Sequence, residues 1–107
     1  MRVLLDENLP RRLKQYLPPD VEALTVRQRG WSGKKNGALL RDAAVEFDVF
    51  LTTDQGIPHQ QNLSGLSIGI GLLRAPSNRL VDLLPLVPRI NEALETIGSG
   101  QVVQVPA

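Results

Sequence analysis

The sequence predicts a three-layer α/β domain, a mostly parallel sheet of about five strands with helices on both faces. Three observations predict it. Apolar runs alternate with helical periodicity in the order β-α-β-α-β-loop-β-α-β, which calls for parallel strands joined by right-handed crossovers. Two of the runs, Val3-Leu4-Leu5 and Val49 to Thr53, are almost continuously apolar or β-branched, as strands covered on both faces are. At 107 residues there is room for one core, and no repeat, low-complexity run or linker divides residues 1–107.

The elements follow in order. After the first strand, Pro10 suits the first position of a helix, where a missing N–H is harmless. Leu9, Leu13, Tyr16 and Leu17 recur at helical spacing, and Pro18-Pro19-Asp20 ends that helix in a turn. Val21 to Val26 is rich in β-formers and reads as the second strand. A basic, glycine-punctuated loop, Arg27 to Lys35, leads to Asn36, a cap for the next helix. In that helix Leu39, Leu40, Ala43, Ala44 and Phe47 form an apolar stripe, with Arg41, Asp42 and Glu46 facing mostly outward. Val49 to Thr53 is the third strand, and Gln55 to Leu63 a polar loop. In the fourth strand, Leu66 to Leu73, Gly69 and Gly71 share a face and admit close approach by a helix or another backbone. Ser77 or Asn78 caps a last helix that keeps its apolar spacing from Leu80 to Ile97, with a kink or restart expected at Pro85. Gly98 is its stop signal, and Gln101 to Val105 an edge strand.

Composition narrows the function. Apolar residues at 42% and charged residues at 21% are ordinary for a globular protein. No run approaches the roughly 18 apolar residues of a membrane span, and Met1 runs straight into the first strand, so neither a membrane partner nor a signal peptide is expected. The absence of cysteine excludes thiolate catalysis and Cys-based metal sites and fits a cytoplasmic location. Neither GxGxxG nor GxxxxGK[ST] is present.

The chemistry gathers where strands end. Val3-Leu4-Leu5 is followed by Asp6, Glu7 and Asn8, and Phe50-Leu51-Thr52-Thr53 by Asp54. Open α/β sheets bind ligands outside the carboxyl ends of their strands. If the first and third strands are central neighbours, Asp6 and Asp54 share one pocket. Two carboxylates with retained waters suit Mg²⁺ or Mn²⁺, and such a cation can activate water and stabilise a phosphodiester's developing charge. Glu7 points the other way along the strand. The loops at that pole hold Arg11, Arg12, Arg27, Arg29, Lys34, Lys35, Arg74 and Arg79, eight of the twelve basic residues, against Asp6, Glu7, Asp54 and Asp82, four of eleven acidic ones. A near-neutral total of +1 therefore hides an acidic centre in a basic rim, suited to a metal and a polyanion. Each feature also has a plainer reading. Asp6 can cap a helix, Asp54 can make an Asx turn before Gly56, and loops are often basic. Trp31 can stack on a base or pack over the sheet end. His59, the only histidine, lacks a partner at metal-ligand spacing and reads as a solvated loop residue, and Asp42 and Glu46 read as solvated residues on the outer face of their helix.

With these residues in view, the chain resembles the small PIN-like proteins of bacteria and archaea that begin LLDENLP and carry a later TxD. The resemblance covers nearly the whole length and is carried by Leu4 to Pro10, Gly30-Trp31-Ser32-Gly33 and Leu51-Thr52-Thr53-Asp54, with Leu72-Leu73-Arg74 and the long last helix in support. It implies a PIN-like sheet and a metal-dependent ribonuclease, often the toxin of a toxin–antitoxin pair beside a small DNA-binding antitoxin. Asp6 and Asp54 would be metal ligands and catalytic, with Glu7 or Asp82 in support. Arg11, Arg12, Arg27, Arg29, Lys34, Lys35 and Arg74 would contact RNA, and a homodimer is compatible. Two departures bear on activity. PIN domains bring a third acid from the helix before the TxD strand, about where Asn36 to Ala38 stand, and many read TxDxDF where this chain has Gly56. A degenerate module that holds RNA or an antitoxin without cleavage is the second expectation. A phosphoacceptor receiver domain is the third, and it lacks a lysine after Lys35.

Overall fold

A computed structural model describes residues 1–60 and 65–106, with the backbone alone at 59 and 60. Five strands, β1 (Arg2–Leu5), β2 (Glu22–Thr25), β3 (Val49–Thr52), β4 (Gly69–Leu73) and β5 (Val102–Val105), form one sheet in the order β2-β1-β3-β4-β5. Every neighbouring pair is parallel, so the sheet is wholly rather than mostly so. The α-helices are α1 (Asn36–Glu46), α2 (Ile57–Gln60), α3 (Leu80–Leu83) and α4 (Val87–Thr96), and 3₁₀ helices cover Arg11–Tyr16 and Leu84–Leu86. The polar loop expected up to Leu63 holds the single turn α2, and its residues 61–64 lie outside the described residues.

Alternation along the strands builds two cores, one on each face of the sheet. Val3, Leu5, Val49, Leu51 and Leu73 pack with Leu13 of the first 3₁₀ segment, Leu17 just after it, and Leu83, Ile90 and Leu94 of α3 and α4. Leu4, Phe50, Ile70 and Leu72 pack on the other face with Leu39, Leu40 and Ala43 of α1, Phe47 at its end and Ile57 of α2. The result is the expected three-layer α/β architecture.

One topological expectation is corrected. The β2-to-β3 and β4-to-β5 connections run in the same direction across the sheet, yet α1 and α4 lie on opposite faces. They are therefore of opposite hand, and the crossovers are not uniformly right-handed, against a strong general rule. Available space explains the choice. Over β4 the α1 face is filled by Ile68, Ile70 and Leu72, whereas the opposite face is floored by glycine. A Cβ on Gly69 would lie 2.8 Å from Ile97 Cγ1 and 2.9 Å from the Gly98 carbonyl oxygen, and one on Gly71 would lie 2.6 Å from Leu51 Cδ2. The glycine face thus accepts the segment after α4, the close approach read from the sequence.

Local differences follow from proline and polar competition. The first helix is 3₁₀, not α: Leu13 N bonds Pro10 O and Leu17 N bonds Lys14 O. Pro10 stands just before it in extended conformation, and Leu17, restricted by Pro18, is extended too. Six residues between such stops are too few for a cooperative α-helix. The last helix breaks into α3, a 3₁₀ turn and α4, as Pro85 and Pro88 require. Gly98 does not end α4 by a left-handed turn. Ile97 is already extended, and the positive φ falls at Gly100 (76°).

Candidate active site

Leu5 of β1 lies opposite Leu51 of β3, so the residues after each strand leave the sheet side by side at its carboxyl pole. The chain moves from β1 to β2 on one side, while β3 flanks β1 on the other. This is the switch point of the 2-1-3-4-5 order, where the loops part and open sheets bind ligands.

A buried hydroxyl links the two aspartates there. Asp6 N donates to Leu51 O at 2.9 Å, which holds the turn after β1 against β3. Thr52 is fully buried; its Oγ1 donates to Asp6 Oδ2 at 2.6 Å and accepts from Asp54 N at 3.0 Å. Asp6 Oδ1 accepts from Glu7 N at 2.7 Å. Asp54 Oδ1 accepts from Gly56 N at 2.9 Å, the Asx turn, and its Oδ2 accepts from Asn36 Nδ2 at 3.4 Å. All these donors are neutral. Neither carboxylate takes part in an ion pair among the described residues, and each oxygen keeps a second lone pair.

The donor set suits a hard divalent cation, since carboxylate oxygens with retained waters are what Mg²⁺ and Mn²⁺ prefer. Among the described residues no group of three carboxylate, imidazole or thiolate side chains converges, so a cation here would have two protein carboxylates at most. Glu7 turns away, as its position along the strand suggested, and its Oε1 accepts from Gly33 N at 3.2 Å. Asp82 accepts from Ser77 Oγ at 2.5 Å.

Family models, curated proteins and solved structures yield no match to this chain.

The basic residues divide into two sets. Arg11, Arg12, Arg27, Lys35 and Arg74 are exposed and have no carboxylate partner among the described residues. Arg29 and Lys34 are instead engaged along α1. Arg29 Nε donates to Glu46 Oε2 at 2.7 Å and its Nη2 to Oε1, a bidentate pair. Those hydrogen bonds hold the Glu46 carboxyl below its ordinary range and the Arg29 guanidinium above its own. Glu46 is half-buried in consequence, not freely solvated. Lys34 Nζ lies 2.7 Å from Asp42 Oδ2. The loop doubles back because Gly30 (φ 79°) and Gly33 (φ 83°) supply conformations that other residues rarely adopt. Trp31, between them, meets Phe47 edge to face at 6.1 Å and carries the Arg29 guanidinium 4.6 Å above its ring. Its ring packs partly buried against the end of α1 and the core on that face of the sheet.

Three contributors escaped the sequence reading. Thr52 entered only as a β-former and as part of the Leu51-Thr52-Thr53-Asp54 motif, with no role assigned, although a threonine hydroxyl can accept from the amide two residues on. Asn36 reads as a cap, but Lys35 takes the cap position without a side-chain bond, and the Asn36 amide turns to Asp54. Gln28 carried no signal. Its Oε1 accepts from both Thr25 N and Lys14 Nζ at 3.0 Å. The side chain of His59 lies outside the described residues.

Proposed function

We propose that this chain is a divalent-metal-dependent ribonuclease of PIN-like type, the toxin of a cytoplasmic toxin–antitoxin pair, acting on single-stranded or loop RNA. The observation that carries the reading is the Thr52 hydroxyl bonded at once to the Asp6 carboxylate and the Asp54 main chain, at neighbouring carboxyl ends of β1 and β3. Asp6 and Asp54 would hold Mg²⁺ or Mn²⁺, which when bound supplies Lewis-acid stabilisation and an activated water. Thr52 keeps the two carboxylates in register. Arg11, Arg12, Arg27, Lys35 and Arg74, exposed and without acidic partners among the described residues, supply phosphate contacts. Glu7 is a weaker catalytic candidate, since it is occupied with the Gly33 amide.

The test is cleavage of single-stranded RNA by purified protein with Mg²⁺ or Mn²⁺, beside Asp6→Asn and Asp54→Asn. Loss of cleavage in both variants supports the reading, and equal cleavage by all three proteins overturns it. A second reading is favoured by the two-carboxylate set: a module that holds RNA or a small DNA-binding antitoxin without cutting. Salt-sensitive RNA binding without metal-dependent product would select it. A receiver-like phosphoacceptor has less support. The strand order and the acids after β1 and β3 are compatible with one, but no lysine follows Lys35 to pair with a phosphoryl group.

A further inference from the structure

Beside the Asp6 turn, between the carboxyl ends of β1 and β2, lies a cavity of about 260 Å³ lined by Glu7, Leu9, Arg11, Thr25, Arg27 and Gln28. Its polar lining is biased toward donors. Arg11 and Arg27 have no carboxylate partner among the described residues. The Gln28 amide has a defined orientation, because Thr25 N and Lys14 Nζ, both donors, converge on its Oε1. Its Nε2 is therefore left to donate, with no acceptor among the described residues. The Thr25 hydroxyl accepts from Gln28 N at 3.0 Å, which leaves its own proton to give. The single acid, Glu7, is drawn toward Gly33. Two guanidiniums, an amide and a hydroxyl around so small a space form a receptor for an oxyanion. The volume falls below the roughly 300–1,000 Å³ of drug-sized ligand sites, which suits a phosphate and part of its sugar.

We propose that this cavity is a phosphate subsite, taking the phosphate group of a nucleotide next to the bond held at Asp6 and Asp54. Its role in orienting a strand rests on the nuclease reading, whereas phosphate binding itself does not. Arg11 and Arg27 neutralise the group, and Gln28 and Thr25 set its position.

The experiment titrates the isotope-labelled full chain, with a chelator present, with inorganic phosphate, uridine 5′-monophosphate, and a short single-stranded RNA with and without a 5′-phosphate, followed by amide shifts. Saturable shifts confined to Glu7, Thr25, Arg27 and Gln28 are expected. Arg11→Gln combined with Arg27→Gln should weaken phosphate binding by about tenfold or more. Glu95→Gln, exposed on α4 and outside this lining, should bind as tightly as the parent. Preference for the 5′-phosphorylated RNA would identify a terminal monoester as the ligand, and equal binding an internal diester. No saturable shift, or shifts that survive the double substitution, would overturn the proposal. Intact phosphate binding by a protein that never cuts RNA would overturn the nuclease reading alone.

Discussion

Around Arg2, at the amino ends of β1 and β2, acids and bases satisfy one another; around Asp6 and Asp54, at the carboxyl ends of β1 and β3, they stand apart. At the amino end Arg2 N donates to Asp48 Oδ2 at 2.8 Å, its guanidinium lies 3.5 Å from Glu22 and donates to the Glu46 carbonyl, and Glu46 holds Arg29. At the carboxyl end Asp6 and Asp54 accept only from main-chain amides, a hydroxyl and a carboxamide, while Arg11, Arg27, Lys35 and Arg74 have no acidic partner among the described residues. Both poles derive from the same sheet and similar loops, so composition alone does not separate them. The difference is that one set of charges closes on itself and the other does not among the described residues, the arrangement that the proposed cation and phosphate sites require.

Breaking the open pole should have the largest effect. Asp6→Asn and Asp54→Asn keep the shape but turn one accepting oxygen of each carboxylate into a donor that faces another donor, so each should also cost about 1–3 kcal/mol of stability without unfolding the protein. Metal-dependent RNA cleavage should fall by about 100-fold or more, given the several kcal/mol such charge stabilisation supplies. Thr52→Val tests the link between them. It would leave the Asp54 amide without its acceptor and Asp6 Oδ2 without its donor, costing about 1–3 kcal/mol in a denaturant titration. Thr52→Ser, which keeps the hydroxyl, should recover most of that loss and the cleavage.

The closed pole should respond in stability instead. The folded Glu46 carboxyl lies below the ordinary 4.5 because Arg29 bonds to its charged form. Its contribution is therefore present above that value and lost as pH falls through the lower folded one. Wild type should then lose more stability on acidification than Glu46→Gln, the two converging in strong acid, with cleavage near neutral pH unchanged by the substitution. The smallest effect should come from Lys34→Gln, in the loop between β2 and α1, within about 0.5 kcal/mol, since its pair with Asp42 is exposed on both sides.

How much of this was legible in the residues depended on what each kind of signal encodes. Continuous apolar runs marked β1 and β3 as central, and the step from Leu5 to Asp6 and from Thr53 to Asp54 marked their carboxyl ends. Period and proline marked the break at Pro85. Pairing between distant loops was another matter. Nothing in Arg29 or Glu46 announced their contact, because two positive-φ glycines turned the loop back along α1. The handedness of the last crossover was hidden too, since it follows from which face had room, and that is a property of the packed sheet. Asn36 illustrates competition: a residue suited to capping found a carboxylate across the site, and the helix began at it with no side-chain cap.

The contrast between the poles is tested most directly by titrating the isotope-labelled protein with Mn²⁺ and following paramagnetic broadening of its amides. Broadening should centre on Glu7, Thr53, Asp54 and Gly56, spare Glu22, Glu46 and Asp48, and vanish in Asp6→Asn. Broadening centred on Glu46 and Asp48, or spread evenly over both ends of the sheet, would contradict it.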